Sequence, residues 1–304
     1  MPKVSVCIPA YNQVKYLRKT IDSVLAQTFT DYEIVITDDS ATDNVKNFVS
    51  TYQRDDIIKY YKNPLKLGTP ENWNEAIRKS SGDYIKILHH DDWLNYDDSL
   101  AKYVALLDDN PEVDFAFSAT QAKFPGGENW VHRISSADVS KIEENVLNLY
   151  TGILIGSPSA TIYKKKTELF FDVNLKWIVD IEFYIRQICA NKKVANSTDL
   201  LVVTYGADGR VSEECMNNKQ VEVFEYFYTL ETIYKSKERY SQRSLNDCVV
   251  TALKICNKYK IKSYEEIRES GFKGRISFKI GLYFKLNNAV PFMGRYFIKA
   301  LSRF

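Results

Sequence analysis

Short apolar runs alternate with stretches of helical periodicity over the first hundred residues. Val4-Ser5-Val6-Cys7-Ile8 reads as a buried strand closed by Pro9. Val14, Leu17, Ile21, Val24 and Leu25 recur at helical spacing, which predicts an amphipathic helix from Val14 to Ala26. A second strand, Glu33 to Thr37, runs into Asp38-Asp39-Ser40, and Thr42 and Asp43 are placed to cap a helix after it. Ile57 to Tyr61 is a third strand, followed by a loop from Lys62 to Pro70 that contains Gly68. Glu71 to Ser80 is a helix opened by Pro70 in its first turn. Ile85 to Leu88 is a fourth strand and stops abruptly at His89-His90-Asp91-Asp92. This alternation predicts an α/β fold with a mostly parallel sheet and helices on both faces.

In such a sheet ligands bind outside the carboxyl ends of the strands. Three of the four strands end there in polar loops: Pro9-Ala10-Tyr11-Asn12, Asp38-Asp39-Ser40 and His89-His90-Asp91-Asp92. Their convergence on one rim argues for a nucleotide site, with Pro9, Ala10 and Tyr11 supplying turn backbone and an aromatic ring. No GxGxxG follows the first strand, and no GxxxxGK[ST] occurs anywhere, so dinucleotide and P-loop readings are disfavoured. Phosphate charge then has to be met by a metal. Asp91 and Asp92 are the candidates, because two adjacent carboxylates are costly at a rim unless a cation sits between them. The competing reading is a solvated acidic turn.

Farther along, Asp97 to Asp109 is a helix ended by Asn110-Pro111, and Phe115 to Ser118 is a strand. Phe124 to Glu128 is a turn, Ile142 to Leu149 a short helix, and Glu213 to about Tyr259 two helices. Asp180 opens an aromatic helix, where an acid serves as an N-cap or is stabilised by the helix dipole. From Gly271 to Phe304 there is no acid, while Lys273, Arg275, Lys279, Lys285, Arg295, Lys299 and Arg303 are interleaved with apolar residues. A basic amphipathic segment of this kind reads as a membrane-surface contact; the alternative is a helical appendage with a solvated basic face. The whole chain of 304 residues carries a net charge of only +2, which gives no support to nucleic-acid binding. Five scattered cysteines without a CxxC read as reduced core thiols of a cytosolic protein. Neither a leader nor a run long enough to span a bilayer is evident.

The opening VSVCIPAYN, then Leu25-Ala26-Gln27-Thr28-Phe29, Glu33 through Asp43, and Gly82-Asp83-Tyr84-Ile85 leading to the Asp pair occur in an order and spacing that resemble the family-2 glycosyltransferases of the GT-A fold. The resemblance covers roughly residues 3 to 120. It implies an inverting, metal-dependent transfer of a sugar from a nucleotide-diphospho-sugar to a glycan or lipid-linked acceptor, in a setting such as surface polysaccharide synthesis on the cytoplasmic face of the membrane. Carried onto this sequence, Asp39 contacts the base, and Asp91 and Asp92 bind ribose and Mn²⁺ or Mg²⁺. Many relatives have an acid where His89 stands, which makes Asp92 the metal ligand and Asp91 the ribose or supporting group. Asn72, on a helix that resembles the family's donor-side helix, contacts the nucleotide. Gly156 to Tyr163 resembles the acceptor-side segment. Asp180 takes the place of the catalytic base and keeps the second acid of the family's Glu-Asp pair, although the apolar Val179 stands where the family has the first. Arg210 is a diphosphate contact, in a loop that lacks the metal-binding histidine of some relatives. The implied division is a 1–212 catalytic domain, with donor (1–120) and acceptor (121–212) halves, and a basic helical region at 213–304. A nucleotidyltransferase, or an inactive sugar-binding scaffold on the same fold, remains an alternative.

Overall fold

The computed structural model describes residues 1–127, 129–206, 211–275 and 277–289. In chain order the elements are β1 (Val4–Ala10), α1 (Val14–Leu25), β2 (Tyr32–Asp38), α2 (Asn44–Ser50), β3 (Ile58–Lys62), α3 (Glu71–Lys79), β4 (Tyr84–Ile87), β5 (Trp93–Leu94), α4 (Ser99–Asp108) and β6 (Phe115–Lys123). They continue with β7 (Trp130–His132), α5 (Ser136–Glu144), α6 (Asn148–Thr151), a 3₁₀ turn at Pro158–Ala160, β8 (Thr161–Lys164), α7 (Val179–Cys189) and β9 (Ala195–Tyr205). Helices α8 (Val211–Cys215), α9 (Lys219–Lys235), α10 (Gln242–Lys258), α11 (Tyr264–Glu269) and α12 (Phe278–Ala289) complete the described chain.

One sheet runs in the order β3-β2-β1-β4-β8-β6-β9-β5, with β7 added to β6. Strands β3, β2, β1 and β4 are all parallel, as the alternation predicts. Insertion of β8 between β4 and β6 brings in antiparallel pairing, while β6 and β9 are again parallel. β1 and β2 are buried along their whole length, which explains their nearly continuous apolar sequences: both faces are covered. Their side chains alternate between two cores. Val6, Ile8, Ile34 and Ile36 pack with α1, α2 and α4 on one face. Cys7, Val35, Ile85 and Ile87 pack on the other with α3, α6 and α7. At the amino ends of the strands, the buried Glu33 carboxylate accepts from the Ser5 hydroxyl and from the Ser81 amide, both at 2.6 Å, and locks β1, β2 and the α3–β4 turn together.

The second core does not stop at residue 212. Val223, Phe227 and Leu230 of α9, Leu245, Val249 and Leu253 of α10, and Ile280 and Tyr283 of α12 belong to the same apolar cluster as Ile85 and Phe183. Helix α12 thus turns Ile280, Tyr283 and Phe284 into the protein, and Phe278, 81% exposed, is its large apolar side chain open to solvent. Arg295, Lys299 and Arg303 lie outside the described residues. Among the described residues no helix is long and apolar enough to cross a membrane.

Candidate functional site

The carboxyl ends of β1, β2 and β4 meet at one rim. β1 runs through Pro9 to Ala10, two residues beyond the expected stop, and the Ala10 carbonyl accepts from the Asp39 amide at 3.1 Å. Asn12 then turns the chain at φ 59°, a left-handed conformation asparagine tolerates, and its amide donates to Ser40 Oγ at 2.8 Å. Tyr11 stands at the lip, 40% exposed, with Lys66 over its ring and its hydroxyl accepting from Lys66 Nζ at 3.1 Å.

The two acids that end β2 differ in what they touch. Asp38 is wholly buried and accepts from the Ser40 amide, the Ser40 hydroxyl, the Tyr60 hydroxyl at 2.7 Å and Lys62 Nζ at 3.1 Å, so its lone pairs are spent on the scaffold. Asp39 accepts from Asn63 Nδ2 at 2.6 Å, the Leu67 amide at 3.1 Å and the Gly68 amide at 2.7 Å, which fixes the 63–68 loop against the rim. A carboxylate has about four acceptor positions, so one remains for a ligand. Asn72 is buried. Its amide donates to the Ala10 and Thr37 carbonyls at 3.3 Å each and accepts from Asn63 at 2.8 Å. These internal bonds account for an asparagine here without any ligand. Trp73 packs edge-on against Phe171 and tilts over the His89 ring at 4.7 Å.

Beyond β4, Thr20 of α1 donates to the carbonyls of His90 and Asp92 and shapes the turn. Asp91 is half-buried. Asp92 is buried, and its Oδ1 accepts from the Tyr205 amide at 2.9 Å, which ties the end of β9 to the end of β4. The Ser159 hydroxyl accepts from the His89 amide at 3.0 Å and bonds the Asp92 carboxylate. Burial, with the neighbouring Asp91 charge second, pushes the Asp92 carboxyl up to about 8. Behind it, Lys86 is fully buried on β4, donates to the Ser159 and Ile87 carbonyls, and lies 4.4 Å from the Tyr103 ring centre. Burial holds its ammonium down at about 7, against the opposing pull of Asp92. His89 is pushed down to about 4 by burial, its Nδ1 is 3.8 Å from Asp92 Oδ2, and the Nε2 atoms of both His89 and His90 are buried with no hydrogen-bond partner.

This donor set fits a hard divalent cation. Two carboxylates stand side by side, the cationic side chains nearest Asp92, Lys86 and His89, are pushed toward neutrality by burial, and Mg²⁺-type ions are commonly held by one or two carboxylates together with substrate phosphates. Among the described residues no cluster of three or more His, Cys, Asp or Glu could hold a metal ion unaided. Lys19 and Lys123, at 3.4 and 5.8 Å from the centre of the Trp93 ring beside this turn, add positive charge that the sequence did not single out. Arg210 lies outside the described residues.

Asp180 is the second residue of α7, not its N-cap; Ile178 holds that position. Its Oδ1 accepts from the adjacent Ile181 amide at 2.8 Å. Burial, reinforced by the charge of Glu225, pushes its carboxyl up to about 6. One turn on, the Tyr184 hydroxyl donates to the Gly156 carbonyl at 3.0 Å, so α7 is fastened to the Gly156–Ser159 segment whose far end holds Asp92. Ser159 and Tyr205 were missed in the sequence. Each is a small or ordinary residue whose role depends on a partner 67 or 113 positions away, and nothing local marks it.

The model of the family described as Glycosyl transferase family 2 matches residues 5–169, more than half of the chain. The GalNAc(5)-diNAcBac-PP-undecaprenol beta-1,3-glucosyltransferase of Campylobacter jejuni is 40% identical over 96 residues, which is 31% of this chain and 31% of that protein. The matched stretches span about a third or less of the first curated relatives. Among solved structures, S. aureus TarS 1-349 in complex with UDP-GlcNAc superposes with a TM-score of 0.67 at 18% identity, covering 88% of this chain and 79% of that one. The mannosyltransferase PcManGT of Pyrobaculum calidifontis, in complex with GDP-Man and Mn²⁺, gives 0.55 at 15% identity over 99% of this chain and 85% of that one. Those likenesses establish the GT-A type of α/β fold, and with the family match across both the β1–β2 rim and the β4 turn, the chain belongs to glycosyl transferase family 2.

Proposed function

We propose that the protein is an inverting transferase that moves a sugar from a nucleotide-diphospho-sugar to a hydroxyl of a glycan or lipid-linked acceptor. The observation that carries this reading is the Asp91–Asp92 turn: a buried carboxylate, held by Tyr205 and Ser159, beside a second, half-buried carboxylate at the carboxyl end of β4. Asp92 and Asp91 would hold Mn²⁺ or Mg²⁺, and the bound ion supplies the charge that stabilises the departing diphosphate. Tyr11 offers a stacking face to the base, Asp39 its remaining acceptor position, and Pro9 and Ala10 the backbone of the same lip. Asn72 holds that lip together from beneath. Arg210 keeps the diphosphate role that its place in the family pattern suggests.

Asp180 acts as the base. Its carboxylate takes the proton of the acceptor hydroxyl as that oxygen bonds to the anomeric carbon. The bond from that carbon to the diphosphate oxygen breaks on the opposite side, so a single displacement inverts the centre. A carboxyl lifted to about 6 suits this work, because a general base is most effective when its pKa lies near the operating pH. The donor class is supported by the UDP-GlcNAc and GDP-Man held by the two structural neighbours, and the lipid-linked acceptor by the name of the Campylobacter relative. The membrane contact we propose for the basic carboxyl-terminal segment is electrostatic, since α12 spends its apolar face on the protein and leaves Phe278 and Lys285 exposed, with Lys273 and Arg275 exposed just before it. The place of work would then be the cytoplasmic membrane surface.

Thermal-shift measurements with UDP, dTDP, GDP and CDP, each with and without Mn²⁺, test the site. A ligand at a hundred times its Kd stabilises the native state by about 2.7 kcal/mol. A Mn²⁺-dependent rise for one nucleotide that disappears in Asp92→Ala is the expected result. No rise with any of the four defeats the assignment.

A further inference from the structure

Glu225 belongs to α9, in the carboxyl-terminal region, and is 2% exposed. Its Oε1 accepts from the Lys176 amide at 2.8 Å, and its Oε2 accepts from the Trp177 and Ile178 amides at 2.8 and 2.9 Å. Three consecutive N–H groups leading into α7 therefore converge on one carboxylate. The N-cap residue, Ile178, has no side chain that can cap the helix, so Glu225 supplies from another element what local sequence does not. One turn farther along α9, the Tyr228 hydroxyl donates to Asp172 Oδ2 at 2.9 Å and accepts from Asn174 Nδ2 at 3.0 Å. Glu225 and Tyr228 together grip the 172–178 loop at both ends, and Asp180 follows two residues later.

We propose that Glu225 is a positioning residue: by binding the three amides that lead into α7, it sets where Asp180 stands relative to the acceptor. The inference rests on the role of Asp180 as base given above. It makes the carboxyl-terminal helices part of the acceptor site, which their sequence does not suggest. Glu225 also acts through its charge. The charged group that acts on Asp180 is Glu225 from α9; Asp180 in turn raises the hydroxyls of Tyr184 on α7 and Tyr226 on α9, while Lys176 lies against Glu225 itself. The negative neighbour favours the protonated form of Asp180 and so makes its carboxylate the stronger base.

The test compares Glu225→Gln, Glu225→Asp and Asp180→Asn in the full chain. Turnover is followed as Mn²⁺-dependent release of nucleotide from UDP-glucose, UDP-GlcNAc and GDP-mannose, and UDP and GDP affinity is measured separately. Glu225→Gln should lower kcat at least tenfold with nucleotide affinity within twofold, and move the acid limb of kcat to lower pH. Glu225→Asp keeps the charge but cannot span all three amides, so kcat should fall with the limb in place. The Asp180 carboxyl, followed by ¹³C NMR in aspartate-labelled protein and assigned with Asp180→Asn, gives the same answer without turnover: its midpoint must drop in Glu225→Gln. A Glu225→Gln enzyme that melts lower but keeps kcat and the Asp180 midpoint overturns the inference and leaves Glu225 a structural residue. Full turnover in Asp180→Asn overturns the base assignment and this inference with it, whereas an inactive Asp180→Asn beside an unchanged Glu225→Gln overturns the positioning role alone.

Discussion

Replacing Asp38 by alanine should unfold the donor rim from within. Its buried carboxylate gathers four donors: the Ser40 amide and hydroxyl, the Tyr60 hydroxyl and Lys62 Nζ. Alanine strands the Ser40 amide and the Tyr60 hydroxyl, and each buried donor left unmet costs about 1–3 kcal/mol. Lys62 loses less, because it is 30% exposed and keeps the Ser40 and Thr42 carbonyls; a solvent-screened pair of this kind adds under about 1 kcal/mol. The sum is about 2–7 kcal/mol, which at about 2 °C per kcal/mol for a chain of this size lowers the melting temperature by about 4–14 °C. Asp38→Asn keeps an oxygen for Ser40 but turns an amide toward Lys62, and should lose about half as much. Urea titration gives the free energies and a thermal melt the midpoints. Because Ser40 Oγ also receives the Asn12 amide, nucleotide affinity should fall along with stability. A loss of less than about 2 °C in Asp38→Ala would refute the account of Asp38 as a scaffold residue.

Gly82→Ala places a methyl 2.7 Å from the Ser5 amide nitrogen and 2.8 Å from the Val4 carbonyl carbon, so β1 and β4 must separate; a cost of about 2–3 kcal/mol by chemical denaturation is expected, and a neutral result would show that the strands yield freely. The rate of sugar transfer should fall as pH drops through about 6 and not near 4, because burial has raised the Asp180 carboxyl and the base works only ionised; an acid limb at 4 in the pH profile of kcat would exclude Asp180. Tyr11→Ala removes an exposed aromatic face, and base stacking of about 1–3 kcal/mol translates into a Kd for the nucleotide raised about fivefold or more by calorimetric titration. Unchanged affinity there would take Tyr11 out of the site.

The parallel half of the sheet was legible because its strands and helices differ in period, and loops of unlike composition separate them. The rest was harder for identifiable reasons. β9 opens with Ala195-Asn196-Ser197-Thr198-Asp199 and pairs with β6 through register shifts near Ser118 and Ala119, so no clean alternation marks its eleven residues. β8 follows Gly156-Ser157-Pro158-Ser159, which reads as a loop. α5 begins at Ser136, where Ser135 caps it by accepting from the Asp138 amide, six residues before the apolar position at which a helix was expected to start. Lys86 was visible as a cation inside an apolar run, but only its packing against Tyr103 and Ser159 reveals that its charge is suppressed. The resemblance favoured Asp39 over Asp38, but the physical difference between the two acids became visible only once β3 and the 63–68 loop were in place to claim one each.

The apolar cluster that runs from β4 through α7 into α9, α10 and α12 bears on how such proteins can be recombined. A chimera that joins the β1–β4 portion of this chain to the remainder of a relative has its natural crossover between β4 and β6, where the sheet changes from parallel to antiparallel pairing. A crossover near residue 212 would instead transplant the 172–178 loop without the helix that grips it, and graft a foreign α9 onto a surface shaped for Val223, Phe227 and Leu230. Libraries built on this scaffold should therefore carry α7 and α9 as one cassette, although 29 residues separate them in the sequence.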